Sequence, residues 1–193
     1  MDVIVVGGFA ISIFSIILSS IVAYQSHFNP KNPSRLMHDA PLVVMYLVGT
    51  WIFIPLGYVW AIAYALIAIV TNIWYMTMIC PYCIYYGKTT GVSVLCSVSG
   101  HLARKGDMNK FAKQFKMNVS AVIIGWIIPL IGSGFILYHA YGDTIPFGYN
   151  LFMLVSFCLI AFFLLPKASE PGCKRCEMAK DCPWRKSSQT NKV

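Results

Sequence analysis

Apolar and charged positions are segregated along this chain rather than mixed. No Asp, Glu, Lys or Arg occurs between Ala40 and Gly87, between Val119 and Gly142, or between Thr144 and Pro166. A bilayer core of about 30 Å takes about 20 apolar residues of helix, at about 1.5 Å each, so every one of these stretches is long enough to span. Val3 to Tyr24 (VIVVGGFAISIFSIILSSIVAY) supplies a fourth. Period-two alternation is absent, and helices rather than strands are expected. The pattern predicts an all-α integral membrane protein.

Residues 41–79 are too many for one span, and Pro55-Leu56-Gly57 lies near their middle. A proline followed by a glycine permits either a kink or a tight turn. One kinked helix gives four spans, a hairpin gives five. Charge arbitrates, because short cytoplasmic loops collect Lys and Arg. The segment 80–118 carries Lys88, Arg104, Lys105, Lys110, Lys113 and Lys116 against Asp107 alone, and the tail after Pro166 carries seven further basic residues. A hairpin at Pro55 puts both on the same side as Lys31 and Arg35, with Asp2 and Asp143 opposite. The expectation is therefore a bundle of about five spans, at 3–24, 38–56, 58–79, 119–141 and 147–166, in the cell membrane, with the N-terminus outside and the C-terminus cytoplasmic. Residues 1–166 make the transmembrane domain, 80–118 a cytoplasmic loop within it, and 167–193 a cytoplasmic Cys-rich tail with a disordered end. The first span lacks a positive n-region and is longer than a signal core, so it reads as a retained anchor.

Composition agrees with this. Hydrophobic residues make up 58% of the chain and charged residues 11%, against about 25% charged in soluble domains. A net charge of +8 would suggest nucleic acid in a soluble chain. Here the basic residues sit between apolar spans, where retention on one membrane face and attraction to acidic lipids account for them, and no nucleic-acid partner is expected. Within 101–118, Leu102, Met108, Phe111, Phe115 and Met117 interleave with lysines, which predicts a basic amphipathic helix on anionic lipids of the inner leaflet. Membrane partner subunits are the expected protein partners.

Seven cysteines carry the candidate chemistry. Five form Cys80-Pro81-Tyr82-Cys83 and Cys173-Lys174-Arg175-Cys176, the latter followed by Cys182-Pro183. All five fall on the cytoplasmic side, where ordinary thiols stay reduced, so a structural disulfide framework is not expected. Two C-x2-C turns are the halves of a tetrathiolate site, since each can aim two sulfurs at one ion about 2.3 Å away. Cys80, Cys83, Cys173 and Cys176, with Cys182 as a further ligand, are the expected metal residues, and zinc or an iron–sulfur cluster the expected cofactor. Cys96 and Cys158 read as small packing residues.

The C-P-Y-C sequence also resembles the active sites of glutaredoxins and disulfide oxidoreductases. The resemblance covers four residues and implies Cys80 as the attacking thiol and Cys83 as the resolving one, with a helix starting at Pro81 to acidify Cys80. The first reading is thus a membrane subunit or scaffold with a cytoplasmic Cys-ligated metal centre, part of a redox complex if the metal is iron. A membrane thiol–disulfide oxidoreductase is the alternative, and a small transporter or lipid-binding protein the second. The last is the weakest, since no charge lies deep within any span. His27, His38, His101 and His139 include no pair set to clamp a haem, Gly87-Lys88-Thr89 lacks the earlier glycine of a phosphate loop, and no hydrolytic motif is present.

Overall fold

A computed structural model describes residues 2–28, 35–87, 94–139 and 144–175. Among them every regular element is helical and none is a strand. Seven α-helices follow in order: α1 (Asp2–Phe28), α2 (Arg35–Ile52), α3 (Tyr58–Met78), α4 (Val94–Leu102), α5 (Phe111–His139), α6 (Thr144–Leu159) and α7 (Leu165–Arg175). Five helical stretches are long and apolar enough to cross a membrane: Val3–Gln25, Asp39–Leu56, Tyr58–Tyr82, Met108–His139 and Phe147–Glu170.

The four-span alternative is overturned at Pro55. The chain leaves α2 at Ile52, makes one 3-10 turn over Ile54–Leu56, and reverses at Gly57, whose φ of +118° suits a residue without a Cβ. Pro55 has no N–H to offer the Trp51 carbonyl four residues earlier and its ring crowds that carbonyl, which stops α2 here. α3 then folds back on α2, with the Phe53 and Tyr64 rings 5.3 Å apart.

Neighbour contacts fix the direction of each helix. The Trp51 indole N–H at the end of α2 donates to the Ile4 carbonyl at the start of α1 (3.3 Å), so these two are antiparallel. α6 runs parallel to α1: the Ser12 hydroxyl donates to the Met153 sulfur (3.0 Å), and Phe9 stacks against Tyr149 and Phe152. α5 opposes α3, with Gly125 beside Thr71 and Gly132 beside Phe53. One end of the bundle therefore holds Asp2, the Pro55 turn and His139. The other holds the end of α1, the start of α2, the end of α3, α4, the start of α5, and α7.

The bundle is apolar outside and mixed inside. Val6, Ile13, Phe14, Ile17 and Ile21 of α1 are exposed, whereas Ser12, Ser15 and Ser19, which recur on one helical face, are buried. Around them Met45, Val48, Met153, Phe157 and Ile160 form the main core.

α5 carries Pro129 in its interior. Proline has no N–H, so the Gly125 carbonyl four residues earlier loses its intrahelical donor. The buried Tyr64 hydroxyl of α3 donates to that carbonyl instead (3.1 Å), and the Ser133 hydroxyl bonds the Pro129 carbonyl (2.6 Å). A second proline shapes the end of α6. The turn Ile160–Leu164 is a π-turn, closed by the Leu165 N–H on the Ile160 carbonyl. It lies just before Pro166, whose ring would clash with the Phe162 carbonyl in an ideal α-helix.

The expected amphipathic helix over 101–118 takes a different form. α4 ends at Leu102, and residues 103–107 are not helical. Asp107 then opens the next segment, its side chain accepting from the Asn109 N–H (3.0 Å) ahead of a 3-10 turn over Met108–Lys110. From Phe111 the chain is one unbroken helix through His139. The break sits at Gly106-Asp107, where a glycine and a helix-capping acid disfavour continuation, and nothing at 118–119 interrupts it. Phe111 and Phe115 do share a face, with rings 5.8 Å apart.

Replacing Tyr64 with Phe leaves the Gly125 carbonyl unpaired and is expected to cost about 1 kcal/mol, read as a lower thermal midpoint in detergent. In a Pro129→Ala background the helix regains its own N–H and the cost should shrink toward zero. An undiminished cost there would rule out this account of Tyr64.

Candidate functional site

The C-P-Y-C sequence is a tight turn at the end of α3. Ile79 caps α3, its N–H on the Tyr75 carbonyl (3.0 Å), and Cys80–Tyr82 form one 3-10 turn. The Cys83 N–H donates to the Cys80 carbonyl (3.0 Å), and the Tyr86 N–H to the Cys83 carbonyl (3.1 Å). Cys80 is 1% exposed, and Cys83 is half-buried.

Residues 99–107 hold this turn in place. The Gly106 N–H donates to the Pro81 carbonyl (3.0 Å), and the Tyr86 hydroxyl donates to the Ala103 carbonyl. The Tyr82 ring lies so close over Gly106 that a Cβ there would stand 2.6 Å from its Cδ1. Gly100 approaches Gly87 equally closely, since a Cβ on Gly100 would be 2.8 Å from the Gly87 Cα. α4 thereby packs onto the turn and the end of α3.

This geometry corrects the thiol argument made from sequence. No helix starts at Pro81: the turn is three residues long, and Cys80 directly follows the C-terminal end of α3. The attacking role expected for Cys80 also needs access, and of the two thiols Cys83 is the more exposed.

The bundle carries Cys173 on α7, at the same end as Cys80 and Cys83. Cys176 and Cys182 lie outside the described residues. Among the described residues no group of three or more His, Cys, Asp or Glu side chains stands ready to hold a metal ion. Cys158 is half-buried within α6, in keeping with a packing role. Cys96, read as packing from its apolar surroundings in sequence, stands on α4, the helix docked on the C-P-Y-C turn. His139 is at the far end of the bundle, its ring 4.4 Å from that of Phe135.

Basic residues gather where the cysteines do. Arg104, Lys105, Lys110, Lys113, Lys116 and Lys167 are all exposed at this end. Comparison with protein-family models, with curated proteins and with solved structures finds no match to this chain.

In chelator-treated protein a water-soluble maleimide is expected to modify Cys83 well before Cys80, as followed by mass spectrometry of each peptide. Tyr86→Phe, which removes the tie to Ala103, should narrow that difference. Equal rates in the parent protein would contradict the burial of Cys80.

Proposed function

We propose that this is a multi-pass membrane protein, with its N-terminus outside and its C-terminus in the cytoplasm, that serves as a membrane subunit or scaffold. Its cytoplasmic end carries a metal centre, zinc or iron–sulfur, begun by Cys80 and Cys83. One observation carries the reading: the helix directions gather the C-P-Y-C turn, the Cys173-bearing α7 and the exposed basic residues at a single end of the bundle. Lys and Arg concentrate on the cytoplasmic side of membrane proteins, which supports the orientation. Lys110, Lys113 and Lys116, around the start of α5, are suited to anionic headgroups of the inner leaflet.

Two cysteines on a rigid turn are a favourable start for a metal site, because the backbone cost of ordering them is met by folding. The tail is one source of the remaining ligands, since Cys173 and Cys176 repeat the C-x2-C spacing and Cys182 follows. Zinc would make the centre structural. Iron would make the protein an electron-carrying subunit of a redox complex. The thiol–disulfide oxidoreductase reading is less well supported, given the burial of Cys80 and its place after a helix.

Single cysteines placed at Asp2 and Gly142 of a cysteine-depleted variant are expected to react with an impermeant thiol reagent in intact cells. One at Arg104 should react only after permeabilisation, and the reverse pattern would overturn the orientation. Anaerobically purified protein should contain about one metal centre per chain, lost in both Cys80→Ser and Cys83→Ser, by elemental analysis and visible absorption. Protein without zinc or iron would remove the metal reading.

A further inference from the structure

One face of α5 is exposed along the length of the helix, and its chemistry changes once on the way. Met117, Ile124, Ile127, Ile131, Phe135 and Tyr138 recur at helical spacing and are all exposed, while Phe111, Gly125, Pro129, Ser133 and Ile136 are buried on the other side. Lys113 and Lys116 lie on the same exposed face, within about one turn of Met117. Lys110 is exposed three residues earlier, in the 3-10 turn that leads into the helix.

The apolar part of that face has the length of a bilayer core. From Met117 to Tyr138 the helix rises about 32 Å, against about 30 Å of hydrocarbon. α3 gives the same boundary independently. It runs antiparallel to α5, with Thr71 beside Gly125, so its last residue, Met78, stands level with Asn118, and the exposed apolar residues of α3 end there. In a bilayer set by these lengths, Lys116 stands at the headgroup level. Lys113 and Lys110 stand further out, by about 5 and 9 Å.

We propose that Lys110, Lys113 and Lys116 form a binding site for one lipid whose headgroup carries phosphate monoesters beyond its diester, of the inositol bisphosphate kind. The proposal rests on the reading of this end as cytoplasmic and in contact with anionic lipid. A headgroup such as phosphatidylserine keeps its charge near the phosphate plane, where it meets Lys116. Lysines on a lipid-facing surface direct their ammonium groups away from hydrocarbon, so Lys113 and Lys110 are matched by negative charge that stands off that plane. A phosphorylated ring above the diester supplies it, each monoester carrying about −1.5 to −2 charge at pH 7. Lysines three residues apart on a helix are neighbours and repel one another, and the acid nearest to them in sequence, Asp107, has its carboxylate on the Asn109 N–H. The acyl chains of the same lipid lie along Ile124, Ile127 and Ile131, which favours a lipid over a soluble phosphate.

The test uses full-length protein in detergent micelles containing phosphatidylcholine, to which phosphatidylinositol bisphosphate or phosphatidylserine is added at equal headgroup charge, with bound lipid counted by native mass spectrometry. The parent protein should bind about one phosphatidylinositol bisphosphate per chain, at least about tenfold tighter than phosphatidylserine. Lys110→Ala/Lys113→Ala should lose that preference and keep phosphatidylserine binding through Lys116, whereas Lys110→Arg/Lys113→Arg should keep the preference. Arg104→Ala/Lys105→Ala removes the same charge from the preceding loop and should leave the preference in place. Inositol trisphosphate, which has no acyl chains, should compete at least about tenfold less well than the lipid. Size-exclusion profile and helical circular dichroism check that each variant remains folded. Equal binding of the two lipids, or equal loss of preference in the two alanine variants, overturns the site and leaves the broader anionic-lipid reading standing. Inositol trisphosphate competing as well as the lipid overturns the site in favour of a soluble ligand. A parent protein that binds neither anionic lipid removes both readings.

Discussion

The hydroxyl of Tyr64 on the carbonyl of Gly125 is the tie on which the packing of α3 and α5 depends. Pro129 removes a hydrogen bond from the interior of an otherwise apolar helix, and a carbonyl left without a donor in such surroundings is costly. A neighbour must provide the donor, at the right depth and facing the right way. Tyr64 can do so because α3 folds straight back from the Pro55 turn, so that its second turn lies beside the proline in α5. Phe53 and Ala61, which pack with Tyr64, then form a small second core around the tie. One missing N–H thus sets the register of α3 against α5, and with it the position of the C-P-Y-C turn at the end of α3.

Much of this architecture is legible in the chain because charge-free stretches of membrane length have few alternatives to helix. The hairpin at Pro55 is legible for a further reason: it gathers Lys31, Arg35, the segment after Cys80 and the tail on one side by charge, and the helix directions put the start of α2, the end of α3, α4, the start of α5 and α7 at one end. Other features depend on partners that no local pattern names. Pro129 announces a weakened helix but does not identify Tyr64, far away in sequence, as the group that compensates. The lysines of 110–116 mark a basic segment, yet whether they form a separate surface helix turns on where the chain breaks, and Gly106-Asp107 outweighs the change from polar to apolar at 118–119.

The cysteines divide in the same way. Their clustering is visible in sequence, and the bundle does carry Cys80, Cys83 and Cys173 to one end. The environment of Cys80 is not visible there, because Pro81 is as compatible with the start of a helix as with a turn after one. Since α3 runs to Met78 and ends on Ile79, Cys80 follows the C-terminal end of a long helix and takes a buried position. Cys96 stands on α4, the helix docked on the turn, whereas Cys158 lies inside a helix of the bundle.

The π-turn at Ile160–Leu164 governs something further along the chain. Such a turn holds one residue more than an α-turn, and each residue of a helix advances about 100° around the axis. α7 is therefore rotated by about a quarter-turn from where an uninterrupted helix would have put it. α7 buries Ala168 and exposes Lys167 and Glu170 in that rotated frame. The face that α7 turns to the bundle is set inside the last long helix, by the space that Pro166 requires, before its first charged residue is reached.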